Sequence, residues 1–386
     1  MTEKLYDRDA YLVSFTARVL SCTPHGTEYA AVLDRTAFFP EGGGQAGDGG
    51  TVGEATVRTT VWEDGEILHL CDRPVPMGEE VSCTLDFSAR FDRMQQHTGE
   101  HILSGLIHRH FGLNNVGFHL GETETTFDFD GVLDRAQLDF IEDLANEAVA
   151  RNMPITCYYP TPEELAALTY RAKLDLTEGV RIVHIEDYDD CACCAPHVAR
   201  TGEVGIIRMP DFIHYKGGIR IRLLCGNRAL LDYRKKDTDL QCIAERLSVP
   251  TEEAVGAVLR LAESELAAKG ESAALAKALA DARAASIPLG SEDNFCFFED
   301  LLGDASMRRL ALSGAERTSG LVAVLRGNDK EGYRFCMAGK CGSLRSIGVE
   351  MTEQLLARCG GSNELISGRI PATRKEILSF FAIDCE

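Results

Sequence analysis

The hydrophobic pattern of this chain changes near Ser88 from strand spacing to helical spacing, and that change limits the possible folds more than any other feature. Before it, short β-rich runs alternate with Gly and Pro turns, which predicts a small β-barrel or meander over residues 1–88. After it, apolar residues recur at helical spacing in 90–111 and 134–151, with strand-like stretches in between. The mixture predicts an α+β fold.

The second half predicts a long helix and a further domain. Residues 251–286 are rich in Ala, Leu and Glu and follow the cap-like Pro250-Thr251, which indicates one helix or two helices broken at Gly270. This helix could pack within its own domain or dimerise as a coiled coil. Strands and helices alternate again beyond Pro288, which predicts a terminal α/β domain. The predicted division is a barrel at 1–88, a second domain at 89–236, a helical linker or coiled coil at 237–288 and a tail at 289–386.

Charge and cysteine content narrow the function classes. A formal net charge of −20 argues against unselective binding to nucleic acid, so no DNA partner is expected and any RNA site must be a local basic patch. One such patch is residues 305–346, where eight Lys or Arg face three acids. Fourteen cysteines scattered over 386 residues favour reduced thiols, some of them metal ligands. No apolar run approaches a membrane span, so we expect a cytoplasmic protein without a membrane partner.

Four residues have the spacing of a metal site. His97 and His101 are four apart in the first helical stretch, so both imidazoles lie on one face. Cys193 and His197 repeat that spacing in a distant loop. Two His from a helix with a Cys and a His from a loop form a tetrahedral N/S set suited to Zn²⁺.

Other interpretations of these residues stay open. Cys191 and Cys194 compete with Cys193 as the thiolate ligand. A structural zinc would have four protein ligands and no exchangeable position. Residues 97–101 also fit the H-x-x-E-H pattern of inverted zinc metalloproteases, in which Glu100 would be the general base, although those enzymes complete the site with a carboxylate.

A glycine-rich motif completes the set. Pro40 and Glu41 precede three successive glycines and Gln45, so the backbone can turn sharply and approach a ligand closely. Together with residues 95–101, 193–198 and 201–205, this motif resembles the alanyl-tRNA synthetase editing domain and the free-standing AlaX editing proteins, in that family's order over residues 10–235. A Gly-rich turn at 359–362, expected between helices 346–358 and 372–381, is similar to the DHH-associated tail of the long AlaX type.

The resemblance implies a zinc-dependent hydrolase that removes a wrong amino acid from tRNA(Ala) in trans, acting on the acceptor end. Serine is the expected misacylated residue, with glycine second, because a synthetase pocket shaped for alanine rejects neither strongly. Residues 194–196 depart from the family's usual Gly-Gly-Thr, which bears on fine substrate contacts more than on metal binding. A non-catalytic zinc module that binds RNA or a synthetase is the alternative.

The remaining site assignments follow from the motif and from strand geometry. The family pattern makes Thr36 the candidate contact to the seryl hydroxyl. Gln45 and the amides of Gly43 and Gly44 could orient water or substrate, and Glu100 is a candidate base. A homodimer through helix 251–286 or the tail is also expected to be possible.

One pair of arginines is a candidate RNA contact. Arg220 and Arg222 are two apart in a predicted strand, so they project from the same side and could hold the acceptor end.

Overall fold

Short strands with alternating burial form the first part of the chain in the computed structural model, which describes residues 2–122, 124–172, 179–340 and 343–382. Six of them close into a barrel in the order β2-β3-β7-β6-β5-β8, and β1 pairs in parallel with β4. Alternate residues such as Val19, Leu33 and Val57 point into the barrel core because successive strand residues face opposite sides. The strands are β1 Glu3–Lys4, β2 Ser14–His25, β3 Glu28–Leu33, β4 Arg35–Thr36, β5 Gly50–Val52, β6 Ala55–Glu63, β7 Glu66–Cys71 and β8 Glu80–Leu85.

A buried helix, α1 (Phe87–Phe111), organises the part that follows the barrel. Asp86 caps its first turn by accepting from the Ala89 amide, and Gly112 ends it with a φ of 69°. Two antiparallel sheets surround α1, one ordered β14-β16-β10-β9 with β15 also on β16, and one ordered β11-β12-β13. The other elements are β9 Asn115–Leu120, β10 Thr125–Phe129, α2 Arg135–Arg151, β11 Ile155–Tyr158, α3 Pro162–Ala167, β12 Ile182–Ile185, β13 Asp189–Ala192, β14 Ile207–Arg208, β15 Phe212–Tyr215 and β16 Gly218–Cys225.

The chain divides into two compact units, Met1–Leu240 and Gln241–Glu386. The second unit is a sheet ordered β17-β18-β19-β21-β20, in which only the β17–β18 pair is parallel. One face of this sheet packs on α7 and α8, and the other packs on α5 and α6. The elements from the end of the first unit onwards are α4 Asn227–Leu247, α5 Ala254–Ala285, β17 Phe295–Phe298, α6 Asp304–Ala315, β18 Leu321–Asn328, β19 Gly332–Gly339, α7 Leu344–Leu355, β20 Arg358–Gly361, β21 Leu365–Ile370 and α8 Arg374–Phe380.

The α+β class predicted from the sequence is confirmed. α5 is a single helix that runs through Gly270, because one glycine costs only about 1 kcal/mol in a 32-residue helix. The predicted domain boundary at 236 falls within α4, so this helix begins ten residues before the predicted helical linker. Thr123, the first residue of a predicted strand at 123–129, lies outside the described residues.

The prediction of a glycine-rich turn between two helices at 359–362 is wrong. Residues 358–361 form strand β20, which pairs with β21 in an antiparallel hairpin. Gly361 has a φ of 152°, and a Cβ at this position would lie 2.2 Å from the Leu365 carbonyl oxygen. The glycine therefore serves the tight hairpin.

Several apolar side chains of α5 are exposed: Val255, Val258, Leu259, Leu261, Leu266 and Leu275. A homodimer contact through this helix stays a prediction. Among the described residues, no helix combines the length and the apolar character that a membrane crossing requires.

Candidate metal centre

The four predicted ligands meet at one buried place. His97 and His101 come from α1, and Cys193 and His197 come from the loop after β13. Their candidate ligand atoms all lie within 4.8 Å of one another. The Cys193 Sγ is 3.7 Å from His97 Nε2 and 3.4 Å from His197 Nε2. A tetrahedral Zn²⁺ with ordinary bond lengths requires N···S separations of about 3.6 Å, so the donor set fits this ion.

The ring orientation of the first two histidines is fixed from outside the cluster. His97 Nδ1 lies 2.9 Å from Gln45 Oε1, and His101 Nδ1 lies 3.0 Å from Asp189 Oδ2. An amide or carboxylate oxygen can only accept, so each Nδ1 carries the proton and donates it. Each Nε2 is then left with its lone pair in the cluster. Metal-binding histidines are typically held in this way.

The third histidine has a hydroxyl partner. His197 Nδ1 lies 3.0 Å from Thr98 Oγ1, which also accepts from the Val198 amide. Thr98 is fully buried on α1, one residue after the first ligand. With Nδ1 donating to this oxygen, the Nε2 of His197 faces Cys193 with a free lone pair.

Electrostatics favour a thiolate at Cys193. Burial opposes ionisation, but the charges and hydrogen bonds of His97 and His101 outweigh it and lower the pKa of the Cys193 thiol well below its usual value. Burial lowers the pKa of His97 to about 4 and that of His197 well below the usual value. Burial also opposes the charged form of His101, but the Cys191 charge and the hydrogen bonds with Asp189 and the neighbouring cysteines outweigh it and raise the pKa of His101 well above the usual value. A metal ion binds the thiolate of cysteine and the neutral form of histidine, so binding at this cluster would release the proton of His101.

A buried arginine shapes the loop that carries Cys193. The guanidinium of Arg181 donates from Nη1 to the carbonyl oxygens of Cys193 and Ala195, at 3.0 and 2.9 Å. Cys194 points outward and does not belong to the ligand group. Cys191 is buried and forms a second possible group with His101 and Asp189. The group that contains Cys193 therefore has four donors, and the group that contains Cys191 has three.

The glycine-rich motif lies against β9, next to the cluster. Gly42 and Gln45 exchange two backbone hydrogen bonds, and the Leu120 amide donates to the Gly44 carbonyl. Gly44 has a φ of 82°, and a Cβ there would lie 2.5 Å from the Phe118 carbonyl oxygen. Only glycine fits this approach. The docked motif places Gln45 on His97.

An ion pair ties the motif to the helix that carries both histidines. Asp48, at the end of the motif, accepts from the Phe39 amide and pairs with Arg90 of α1, and both charged side chains are buried. Arg90 also donates to the carbonyl oxygens of Ala10 and Ala37. These contacts fix the position of the glycine motif relative to the helix that carries His97 and His101.

Comparison with known proteins is consistent with this geometry. Residues 180–209, which include Cys193 and His197, match the family described as the threonyl and alanyl tRNA synthetase second additional domain. The chain is 33% identical over 240 residues to the alanyl-tRNA editing protein AlaX-L of Pyrococcus horikoshii, covering 60% of this chain and 59% of that protein. It is 25% identical over 386 residues to the alanyl-tRNA editing protein Aarsd1 of Mus musculus, covering 95% and 93%.

The chain is similar in sequence to alanyl-tRNA editing proteins. It spans less than two thirds of the archaeal protein's length in that alignment but nearly all of the mouse protein. It also matches the alanine–tRNA ligase of Ignicoccus hospitalis, at 29% identity over 264 residues that make up 29% of that enzyme.

Glu100, the candidate base, is buried at the edge of the centre. Its Oε1 accepts from the Ser104 hydroxyl and from the side-chain Nδ2 of Asn115, at 2.6 and 2.5 Å. Its Oε2 lies 4.0 Å from His101 Nε2. The carboxylate is thus close to the ligands and held by two donors, and its role as a base stays a prediction.

Thr36 takes part in a different hydrogen-bonded group, inside the barrel. Its Oγ1 lies 2.8 Å from His69 Nε2 and accepts from the Phe38 amide. His69 Nδ1 faces the Ala31 carbonyl oxygen and must donate to it, so the Thr36 hydroxyl donates to Nε2. One lone pair of this buried oxygen is left for a substrate hydroxyl, and the substrate role stays a prediction.

The two predicted RNA contacts are both paired with acids. Arg220 forms two 2.7 Å hydrogen bonds to Asp128 and stacks on Tyr215, with its guanidinium carbon 3.8 Å from the ring centroid. Arg222 lies 3.2 Å from Asp211 and 3.8 Å from Asp232. They share one side of β16 as expected, and their RNA role stays a prediction.

Three contributors were not singled out from the sequence: Thr98, Asp189 and Arg181. Asp189 pairs with Arg171 through two 2.7 Å hydrogen bonds while accepting from His101. Its position four residues before Cys193 is the one signal that the sequence offers. Their contacts depend on how β13 and the loop pack against α1.

Proposed function

We propose that this protein is an aminoacyl-tRNA deacylase that hydrolyses the ester bond of mischarged tRNA(Ala) in trans, with Ser-tRNA(Ala) as its first substrate and Gly-tRNA(Ala) as its second. The observation that carries the proposal is the four-donor cluster, in which Gln45, Asp189 and Thr98 each fix one histidine. The similarity to alanyl-tRNA editing proteins supports the same activity.

His97, His101, Cys193 and His197 would hold Zn²⁺. The donor types, the 3.4 and 3.7 Å N···S separations and the three fixed ring orientations all fit this ion. When bound there, Zn²⁺ supplies a Lewis acid next to the ester.

Gln45 offers the substrate a hydrogen-bond donor. Its Oε1 is engaged by His97, and its Nε2 is buried without a protein partner among the described residues. A buried unpaired donor costs about 1–3 kcal/mol, so an ester or water oxygen at this position would recover that energy. Because the docked glycine motif fixes the amide, this donor is positioned before substrate arrives.

Exposed backbone and a buried carboxylate complete the proposed site. Gly43 and Gly44 are exposed and have positive φ values, so substrate can approach their backbone without meeting a side chain. Glu100, 4.0 Å from His101, would accept a proton from the attacking water.

Selectivity for serine over alanine requires a hydrogen bond to the seryl hydroxyl. A site that pairs with this hydroxyl discriminates against the alanyl ester, because alanine leaves a buried polar group unpaired. Thr36 is our candidate for the contact, through the lone pair that His69 and Phe38 leave free.

The test is single-turnover deacylation with zinc-loaded protein in excess. Ser-tRNA(Ala) should lose its amino acid, Gly-tRNA(Ala) should follow, and Ala-tRNA(Ala) should remain nearly intact. Ser-tRNA(Ser) is the control for recognition of the tRNA body. Equal loss of serine and alanine would contradict the selectivity, and no hydrolysis of any ester would contradict the activity.

One observation favours a second function, a zinc module without catalysis. Four protein donors can complete the coordination of a tetrahedral ion, as they do in structural sites. A protein of this kind would bind tRNA or a synthetase and release no amino acid in the same assay.

A further inference from the structure

Four arginines stand side by side across the terminal sheet. The strand register places Arg326 opposite Arg334, Arg334 opposite Arg369, and Arg369 opposite Arg358. Residues directly opposite one another in antiparallel strands project from the same face. We call this set the arginine row; with strands about 4.8 Å apart, it extends over about 14 Å.

The row lies on the face that α6 only partly covers. Val324 and Cys336, two residues from Arg326 and Arg334 on the same face, pack under α6. Beyond that contact a cavity of about 1030 Å³ opens, lined by the whole row and by Arg308 of α6. The sheet and α6 together thus present five guanidinium groups to one concave surface.

This arrangement opposes stability. Like charges directly opposite one another in a sheet are destabilising, and here three successive pairs are of this kind. Among the residues that the structure describes, two acidic side chains line the same cavity, Asp304 and Glu331. In a protein with a net charge of −20, a concentration of positive charge at a cost to the fold indicates a polyanionic ligand.

The pairing of the individual arginines supports the same conclusion. Asp304 lies between two of them, 3.3 Å from Arg326 and 3.0 Å from Arg334, and its side chain is 60% exposed. Arg308 and Arg358 are exposed and have no carboxylate partner within the described part of the chain. Guanidinium groups at strand spacing, with one carboxylate already between two of them, are suited to successive phosphate groups.

We propose that the arginine row and Arg308 bind the phosphodiester backbone of RNA. The inference rests on the proposed function for the identity of the RNA, a tRNA, but the site itself depends only on the terminal unit. Phosphate contacts position an RNA without reading its sequence, so the row would supply affinity and not selectivity among esters.

The experiment uses the full-length protein and uncharged tRNA(Ala), so that no hydrolysis is required. The double variant Arg308→Gln/Arg358→Gln is compared with Arg260→Gln/Lys277→Gln, which removes the same charge from exposed positions on α5. We expect the first variant to weaken binding about tenfold at 0.1 M salt and to flatten the dependence of log K on log salt by about 1 to 2, while the second leaves both nearly unchanged. Equal behaviour of the two variants would overturn the proposal.

A third variant gives a change in the opposite direction. Asp304→Asn removes the carboxylate between Arg326 and Arg334, so RNA affinity should rise and its salt dependence should steepen. Misfolding cannot produce that gain. Unchanged or weaker binding would count against the row.

Two further measurements separate this proposal from its alternatives. The first is binding of inorganic phosphate or a mononucleotide at millimolar concentration. If either ligand saturates one site in the cavity while tRNA binding is unaffected by the row variants, the cavity is a small-anion site and the RNA role is refuted. Single-turnover deacylation of Ser-tRNA(Ala) at protein concentrations below saturation should slow in the row variant by about the same factor as its tRNA affinity falls. If no ester is hydrolysed but tRNA binding still depends on the row, the proposed function fails and this inference stands.

Discussion

Replacing Thr98 by valine should weaken zinc binding without altering any ligand. Valine has nearly the same shape as threonine but cannot accept the hydrogen bond that Thr98 Oγ1 receives from His197 Nδ1 at 3.0 Å. Both side chains are buried, so no water replaces the lost acceptor.

The expected loss of zinc affinity follows from comparing the protonation of His197 in the metal-free and metal-bound protein. Without a metal ion, His197 can carry its proton on Nε2 and donate it to Cys193 Sγ, 3.4 Å away. With the ion bound, Nε2 is the ligand atom, so the proton must stay on Nδ1, which has no acceptor in the Thr98→Val variant. A buried unpaired donor costs about 1–3 kcal/mol. Loss of a hydrogen bond behind a metal ligand usually costs about 10- to 100-fold in affinity, about 1.4–2.7 kcal/mol, and the two ranges agree.

The assay is competition for Zn²⁺ with a chromophoric chelator, and Thr201→Val is the matched control. Thr201 is also fully buried in the first unit, donates to the Ala148 carbonyl oxygen and accepts from the Met153 amide. Both variants should lose some free energy of unfolding, but only Thr98→Val should lose zinc affinity. An affinity of Thr98→Val within about threefold of Thr201→Val would refute the assignment of His197 Nε2 as a ligand atom.

Two other predictions concern the ligand register and the barrel. Cys193→Ala should lower zinc content from one ion per chain to nearly none, while Cys194→Ala retains it. Metal analysis that found the reverse, or loss only in Cys191→Ala, would show that a cysteine other than Cys193 is the ligand. Burial lowers the pKa of His69 to about 4, below its unfolded value of about 6.5, so the unfolded chain binds a proton that the folded chain does not, and stability falls as pH drops from about 6.5 towards about 4. Urea unfolding at about pH 7 and about pH 4.5 measures how much free energy of unfolding is lost on acidification. This loss should be about 2.5 kcal/mol smaller in His69→Gln than in wild type, and an equal loss would show that His69 is not the group responsible.

The sequence by itself predicted the four candidate ligands and the fold class. Residues four apart on a helix share a face wherever that helix packs, so His97 and His101 could be paired from spacing alone. The change of hydrophobic period at Ser88 likewise separates strands from helix before any packing is known. The glycine motif was recognised from three successive glycines after Pro40 and Glu41, and the structure explains one of them, since the tight approach of Gly44 to β9 leaves no room for a Cβ.

Only the tertiary structure decided which nitrogen of each histidine faces the centre. Gln45 reaches His97 from the barrel, and Asp189 reaches His101 from β13, across 52 and 88 residues of chain. The arginine row was equally hidden, since Arg326, Arg334, Arg358 and Arg369 are separated in sequence and meet only through strand register. Local pattern records which side chains share a helix or strand face, whereas contacts between distant segments depend on how the elements pack, which no local period encodes.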